Sequence, residues 1–320
     1  MAAWHLTECA AEAWQLHWRH ALQGSLWQSW EYGTALCQTR QCRPRRFLIQ
    51  DEQGCVRGVV QFLVWSLPGL GGVARLNGGP AAVATPWSLT EQDLFLRALQ
   101  STARRQRWWY VRAAFGWSEA AELHPLLQKH GFQPLPQRAA WGSHRLSLQP
   151  DVAALRRNLA GKWRNLLGKG ERLGMRVQTG IDAERWWQLH ACYRAFQQEK
   201  GFTGIAPALL GRLLAQNNPS WQIHLFSAHA PSPQKELLGL LVTIHHGTTA
   251  TYLIGWTAGE GRRWQAGYLL LWQAIVLAKS QGLAWFDLGG VNEETTAGIR
   301  HFKRGVGGLP YQWVGEWRWR

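Results

Sequence analysis

Residues 282–308 read GLAWFDLGGVNEETTAGIRHFKRGVGG. Its opening, LAWFDLGG, predicts a short apolar strand that carries one acid, Asp287, and stops at the double glycine Gly289-Gly290. An acid there can accept hydrogen bonds from the N–H groups of the glycine turn, or it can orient or deprotonate an attacking amine. The structural or orienting role is the expectation, because an amine nucleophile has only one proton to lose. The acidic EETTAG turn then crosses over, and HFK is expected to return Phe302 and Lys303, set among glycines, toward the same cleft.

Reading outward, GYLLLWQAIVLAKSQG predicts a helix ended by Gly282 with Lys279 in its last turn. Before it, IHLFSAHA, LLGLLVTIHHG and TTATYLIGWTAG predict three strands, with PSPQKE looping between the first two. After it, YQWVGEWRW is expected to close the same sheet. The first half repeats this order. Strands are expected near 45–50 and 56–66 and in VARLNGGPAAV, a helix in WSLTEQDLFLRALQSTARRQ, a strand in WWYVRAAF and a short helix in ELHPLLQKHGF. HRLSLQP is expected to close that first sheet, while a helix at about 8–22 and a loop through QSWEYG precede it. The separations from Gly58 to Trp108 and from Gly239 to Trp285 are 50 and 46 residues. That near-match predicts two copies of one α/β unit, 1–150 and 151–320.

The second copy opens with DVAALRRNLAGKWRNLLGKGERLGMRV, read as one basic helix over about 151–173 with Asp151 as its N-cap. Leu155, Leu159, Trp163, Leu166 and Leu173 fall on one face. Residues 151–176 carry seven basic and two acidic groups. This face is either solvated or a phosphate-contacting surface. The whole chain has a formal net charge of +15, with 28 arginines and 7 lysines, which points to an anionic partner. Apolar residues at 46% and charged residues at 17% describe a globular chain rather than a disordered one. The 22 tryptophans are dispersed, so most are expected to serve packing.

Five cysteines without CxxC spacing predict reduced thiols and a cytosolic home. Glu8 and Glu12 interrupt any signal-like run, and GYLLLWQAIVLA at 267–278 is too short to span a bilayer, so any membrane association is expected to be peripheral, at the inner face. The chain has no GxSxG, HExxH or P-loop pattern, and no metal is implied. His245 and His246 adjoin in a strand and must face opposite sides. GEGRRWQAGYLL, residues 259–270, has the order strand, Gly/Arg-rich turn, helix that a pyrophosphate cradle for CoA requires, but its spacing is degenerate, since Arg263 is followed by Ala266-Gly267 out of the expected register, and this weakens CoA as the donor.

Taken together, LWQSWEYG (26–33), the basic helix, ACYRAFQQEKGF (191–202), LLLWQAIVLAKSQGLAWFDLGG and GIRHFKRGVGG resemble, in this order, the FemAB/FemX family of peptidoglycan-bridge aminoacyltransferases within the wider tandem GNAT-like acyltransferases. The resemblance implies an α/β (α+β) mixed-sheet fold of two tandem GNAT-like domains. It implies transfer of an aminoacyl group from aminoacyl-tRNA, or of another acyl group, to an acceptor amine in cell-envelope or peptidoglycan precursor modification, with no bound cofactor. The resemblance places the Phe302-Lys303 pair at the transfer site, Lys303 as a fixed positive donor to the tetrahedral oxyanion, and Asp287 is the second expected catalytic residue, read from its place at the strand end. Phe302, Arg304, Lys200, Tyr268, Arg263 and Trp30 are the implied substrate contacts. Two alternatives stand beside this: an acyl-CoA-dependent N-acetyltransferase acting on a sugar amine or amino acid, and a non-catalytic RNA-binding or envelope scaffold that retains the fold.

Overall fold

Runs of β-branched and aromatic residues punctuated by Gly, Pro and Asp form the strands, and apolar stripes at helical spacing cover them. The computed structural model describes residues 3–67, 69–135, 140–216, 218, 220–231, 236–291 and 296–320. Two units result, Met1–Gly142 with Tyr311–Arg320, and Ser143–Pro310. The boundary lies eight residues before the expected one, and the last ten residues belong with the first unit.

The first unit runs β1 (His5–Glu8), α1 (Ala11–Trp18), α2 (Trp30–Arg40), β2 (Arg43–Gln50), β3 (Val56–Leu67), β4 (Gly71–Gly79) and β5 (Ala81–Ala82). It continues through α3 (Leu89–Arg105), β6 (Trp108–Phe115), α4 (Leu123–Lys129) and β7 (Gln133–Pro134). The second has β8 (Gly142–Ser147), α5 (Val152–Arg157), α6 (Gly161–Arg172), β9 (Arg176–Thr179), α7 (Ala183–Lys200), α8 (Pro207–Leu214), β10 (Trp221–His229), β11 (Leu237–His246) and β12 (Thr249–Thr257). Then come α9 (Gly259–Arg263), α10 (Ala266–Ser280), β13 (Trp285–Asp287) and α11 (Ala297–Arg304); β14 (Leu309–Gln312) spans the boundary at Tyr311, and β15 (Glu316–Trp319) lies in the first unit.

The two mixed sheets have the orders β1-β2-β3-β4-β6-β15-β7 and β14-β8-β13-β12-β11-β10-β9. Each contains an antiparallel pair followed by a parallel neighbour reached over a helix: β3, β4 and β6 in the first, β11, β12 and β13 in the second. The expected doubling therefore exists at the level of topology. The two closing strands are exchanged relative to expectation. HRLSLQP contributes β8, which pairs with β13 of the second sheet, and YQWVGEWRW contributes β15, which pairs with β6 and β7 of the first. Burial explains the second choice, since Trp313, Val314 and Trp317 all close the first unit.

Local chemistry sets the main helices. In α3 Ser88 and Glu91 form a reciprocal capping box, and Phe95, Leu96, Leu99 and Ala103 bury its inner stripe. The QSWEYG segment, expected to be a loop, starts α2 instead, because the Ser29 hydroxyl accepts from Tyr32 N–H and caps it. The expected single basic helix is two, α5 and α6. Asp151 caps the first as predicted, but at the break Ala160 N–H donates to the Gly305 carbonyl rather than continuing the helix. Gly305 is tightly held there, since a Cβ would stand 2.6 Å from Trp163 Cδ1. Cys37 and Cys42 are joined in a disulfide, against the expectation that every thiol is reduced; they bracket the left-handed Gln41 that ends α2. Cys9, Cys55 and Cys192 are free thiols. No helix among the described residues is long and apolar enough to cross a membrane.

Candidate active site

The parallel pair of the second unit parts early. Only Thr249, Ala250 and Thr251 face Trp285, Phe286 and Asp287, whereas β12 runs on to Thr257. A bulge helps this divergence: Val242 pairs with Ile254 and Thr243 with Tyr252, leaving Leu253 extra on β12. After Asp287 the chain turns off through Gly289, whose φ is 65° and whose Cβ, if it had one, would lie 2.5 Å from the Tyr252 carbonyl oxygen. In the first unit, by contrast, β4 and β6 stay paired to Gly79 and Phe115.

Asp287 stands at this parting and is buried. Its Oδ1 accepts from the Ser143 hydroxyl at 2.7 Å and from Gly289 N–H at 2.9 Å, while Arg145 Nη2 lies 3.6 Å from Oδ2. These contacts fit the orienting role: the carboxylate ties β8 to the glycine turn that steers the chain away. The turn residues 292–295, within the expected acidic crossover, lie outside the described residues, as do 232–235 of the PSPQKE loop.

Phe302 and Lys303 lie on α11, not in a glycine loop. Lys303 is 6% exposed, so it is not a surface lysine. Its Nζ donates to the Gly290 carbonyl at 3.1 Å and lies 4.8 Å from the centroid of the Tyr252 ring. An ammonium carries three N–H donors, so two more are available for an oxygen in the parting. Burial pushes the amine down from its ordinary value to about 8, and the Asp287 carboxylate opposes that shift. Burial also pushes the Tyr252 phenol up, keeping it protonated. Its hydroxyl occupies the space over Gly255, where a Cβ would overlap it.

Phe302 packs on Trp163 (6.1 Å, stacked) and edge-on to Tyr268 (5.1 Å), and its carbonyl accepts from Trp163 Nε1 at 2.9 Å. A Cβ on Gly267 would touch the Phe302 ring at 3.9 Å. The phenyl ring thus packs against the first turn of α10, in the segment whose order, though not its spacing, fits a pyrophosphate cradle.

Asp287, Lys303, Phe302 and Tyr268 are therefore gathered on β13, α11 and α10. Arg304, next along α11, is exposed and its charge bears on buried His144 of β8. Arg263 is largely exposed and pairs with Glu260 at 2.9 Å. Lys200 ends α7 and pairs with Glu199 at 2.6 Å, and the charge of Arg262 also bears on Glu199. Trp30 belongs to the first unit, where Arg46 lies 3.6 Å above its ring and Trp14 packs beside it. His245 and His246 do face opposite sides, toward Gln281 and Thr251 respectively. No group of three metal-ligating side chains occurs among the described residues. Ser143, Tyr252 and Trp163 complete the site without having been singled out beforehand as site residues. Gly255 three places after Tyr252 is the one local trace of the tyrosine's orientation.

Residues 153–304 match the family described as Acetyltransferase (GNAT) domain. No curated protein matches the sequence. Among solved structures, FemX is similar at 12% identity over 98% of this chain and 97% of that one, with a TM-score of 0.79. A tandem GNAT protein from the clavulanic acid biosynthesis pathway is similar at 13% identity over 99% and 98%, with a TM-score of 0.50. L-PGS from Bacillus licheniformis is similar at 12% identity over 92% of each chain, also at 0.50. The fold is accordingly that of the tandem GNAT proteins and FemX, and the family match falls within the second unit.

Proposed function

We propose that this protein transfers an aminoacyl group from aminoacyl-tRNA to an acceptor amine on a peptidoglycan precursor, working in the cytoplasm. The family match alone favours an acyl-CoA donor. The observation that turns the reading is Phe302, which packs against the first turn of α10 with Trp163 and Tyr268 beside it. Packed against Gly267 and Tyr268, the ring narrows the room beside the turn where a CoA pyrophosphate would lie, whereas an ester at the end of a nucleic acid needs only the parting of β12 and β13.

In this reaction the acceptor amine attacks the ester carbonyl, the C–N bond forms, and the C–O bond to the terminal ribose breaks. The proton lost by the amine ends on the departing ribose oxygen, so no covalent enzyme intermediate and no further reactant is required. Lys303, held by Gly290 and the Tyr252 face, would offer its ammonium to the developing oxyanion. Asp287 would keep the turn in register beneath it. Thermal stability tests the donor: a ligand at a hundred times its Kd stabilises the native state by roughly 2.7 kcal/mol. Aminoacylated CCA-ended RNA is expected to raise the melting temperature of the second unit, and CoA to leave it unchanged; stabilisation by CoA alone would reject the assignment.

A further inference from the structure

We infer that the outward face of α6 is a docking surface for an RNA backbone, an inference that rests on the aminoacyl-RNA reading and gives it a second contact region. The helix buries Trp163, Leu167 and Gly170 on one side. The other side presents Lys162, Asn165, Lys169 and Arg172, all exposed. These positions recur at i, i+3, i+7 and i+10 and form one stripe. Lys162 and Lys169 stand about 10 Å apart along the axis at 1.5 Å per residue. The single acid of the helix, Glu171, is neutralised by a two-pronged contact from Arg156, so it does not offset the stripe.

Two features of the stripe are at odds with the stability of the helix itself. Lys162 lies in the first turn, at the positive end of the helix dipole, and that end has neither an acid nor a side-chain cap. Each lysine is also preceded by a glycine, Gly161 and Gly168. A Cβ at Gly161 would meet nothing within 4 Å, and one at Gly168 only the flexible end of Arg172 at 3.5 Å. Packing therefore does not require either glycine, and glycine is a poor helix former. What the pair does permit is close approach of another backbone, two turns apart, with a cation beside each point of approach. A phosphodiester chain suits that arrangement, since its charge repeats and its contacts are made by cations and close backbone. An anionic bilayer suits it less: helices that lie in a membrane surface present large apolar residues, and this face has none.

The test uses the full chain and an uncharged CCA-ended RNA minihelix, followed by fluorescence anisotropy across a salt series. Lys162→Ala/Lys169→Ala/Arg172→Ala is expected to weaken binding at least tenfold and to reduce the dependence of log Kd on log salt by roughly two to three units, the counterions no longer released. Transfer from a small 3′-aminoacyl adenosine should be unchanged, which shows that the variant is folded and its centre intact. Gly168→Ala is expected to raise the melting temperature and yet weaken RNA binding several-fold. A triple variant that binds within twofold of the parent, a Gly168→Ala chain with undiminished affinity, or a parent chain that binds phosphatidylglycerol vesicles and not RNA overturns the inference. RNA binding that does not depend on α6, with ester transfer intact, would remove this surface and leave the reaction standing. RNA binding through α6 without ester transfer would do the reverse.

Discussion

Replacing Lys303 with alanine is expected to lower the transfer rate by about 10²- to 10³-fold, the usual cost of losing one oxyanion donor, with the second unit still folded. The expectation rests on where the ammonium lies. It is buried where β12 and β13 part, held by the Gly290 carbonyl and the Tyr252 ring, and it retains N–H donors for an oxygen that becomes negative. Its titration makes the test sharper. The folded value of about 8 lies below the ordinary 10.5, so the unfolded chain keeps a proton that the folded chain gives up between those values. The buried charge therefore costs stability below pH 8, and that cost is relieved as pH rises from about 8 to 10.5. Activity should move the other way, falling through about pH 8 as the ammonium is lost. Lys303→Arg keeps the charge and should abolish that alkaline limb, with a rate below the parent's because a planar guanidinium does not reproduce a compact ammonium. Rate against pH for the parent and both variants reads all of this; a Lys303→Ala rate equal to the parent's removes the residue from the chemistry.

The second large effect concerns the exchanged strand. Trp317 is 1% exposed, pairs across from Ala113, touches His124 edge-on at 5.2 Å and donates its indole N–H to the Val314 carbonyl. Trp317→Ala is expected to destabilise the first unit by about 3–5 kcal/mol, the cost of emptying a buried tryptophan site. Urea unfolding followed by hydrogen exchange should show the loss at the β6 amides while those of β11 and β12 keep their protection. An equal loss at β11 and β12 would mean that the two units do not unfold separately.

These two positions also mark where local reading succeeds and where it ends. The helix over 266–280 and the strand that follows it are encoded by neighbouring residues, an apolar run stopped by Gly282 and then an aromatic strand, and both were legible. The doubling was legible for the same reason, because the spacing between like elements is a property of the chain itself. Partner choice is not. HRLSLQP and YQWVGEWRW both read as closing strands, and nothing in their alternation says which sheet they join; the exchange becomes visible only through the burial of Trp313 and Trp317. The site divides along the same line. Asp287, Phe302 and Lys303 stand out in one short stretch, but the groups that fix their roles are remote: Ser143 is 144 residues from Asp287 and Trp163 is 139 from Phe302. The glycines around HFK suggested a loop, whereas His301, Lys303 and Arg304 sit in the last turn of α11, where basic groups suit the helix dipole.

The donor remains the centre of the account, and a single-turnover comparison addresses it most directly. The same amino acid would be supplied to the purified chain as a 3′ ester on CCA-ended RNA and as a CoA thioester, with an amine-bearing peptidoglycan precursor as acceptor and the amide product read by mass. The expected result is amide formed from the RNA ester, with free RNA released in equal amount, and none formed from the thioester. Amide formed from the thioester, with the RNA ester left intact, would contradict the account.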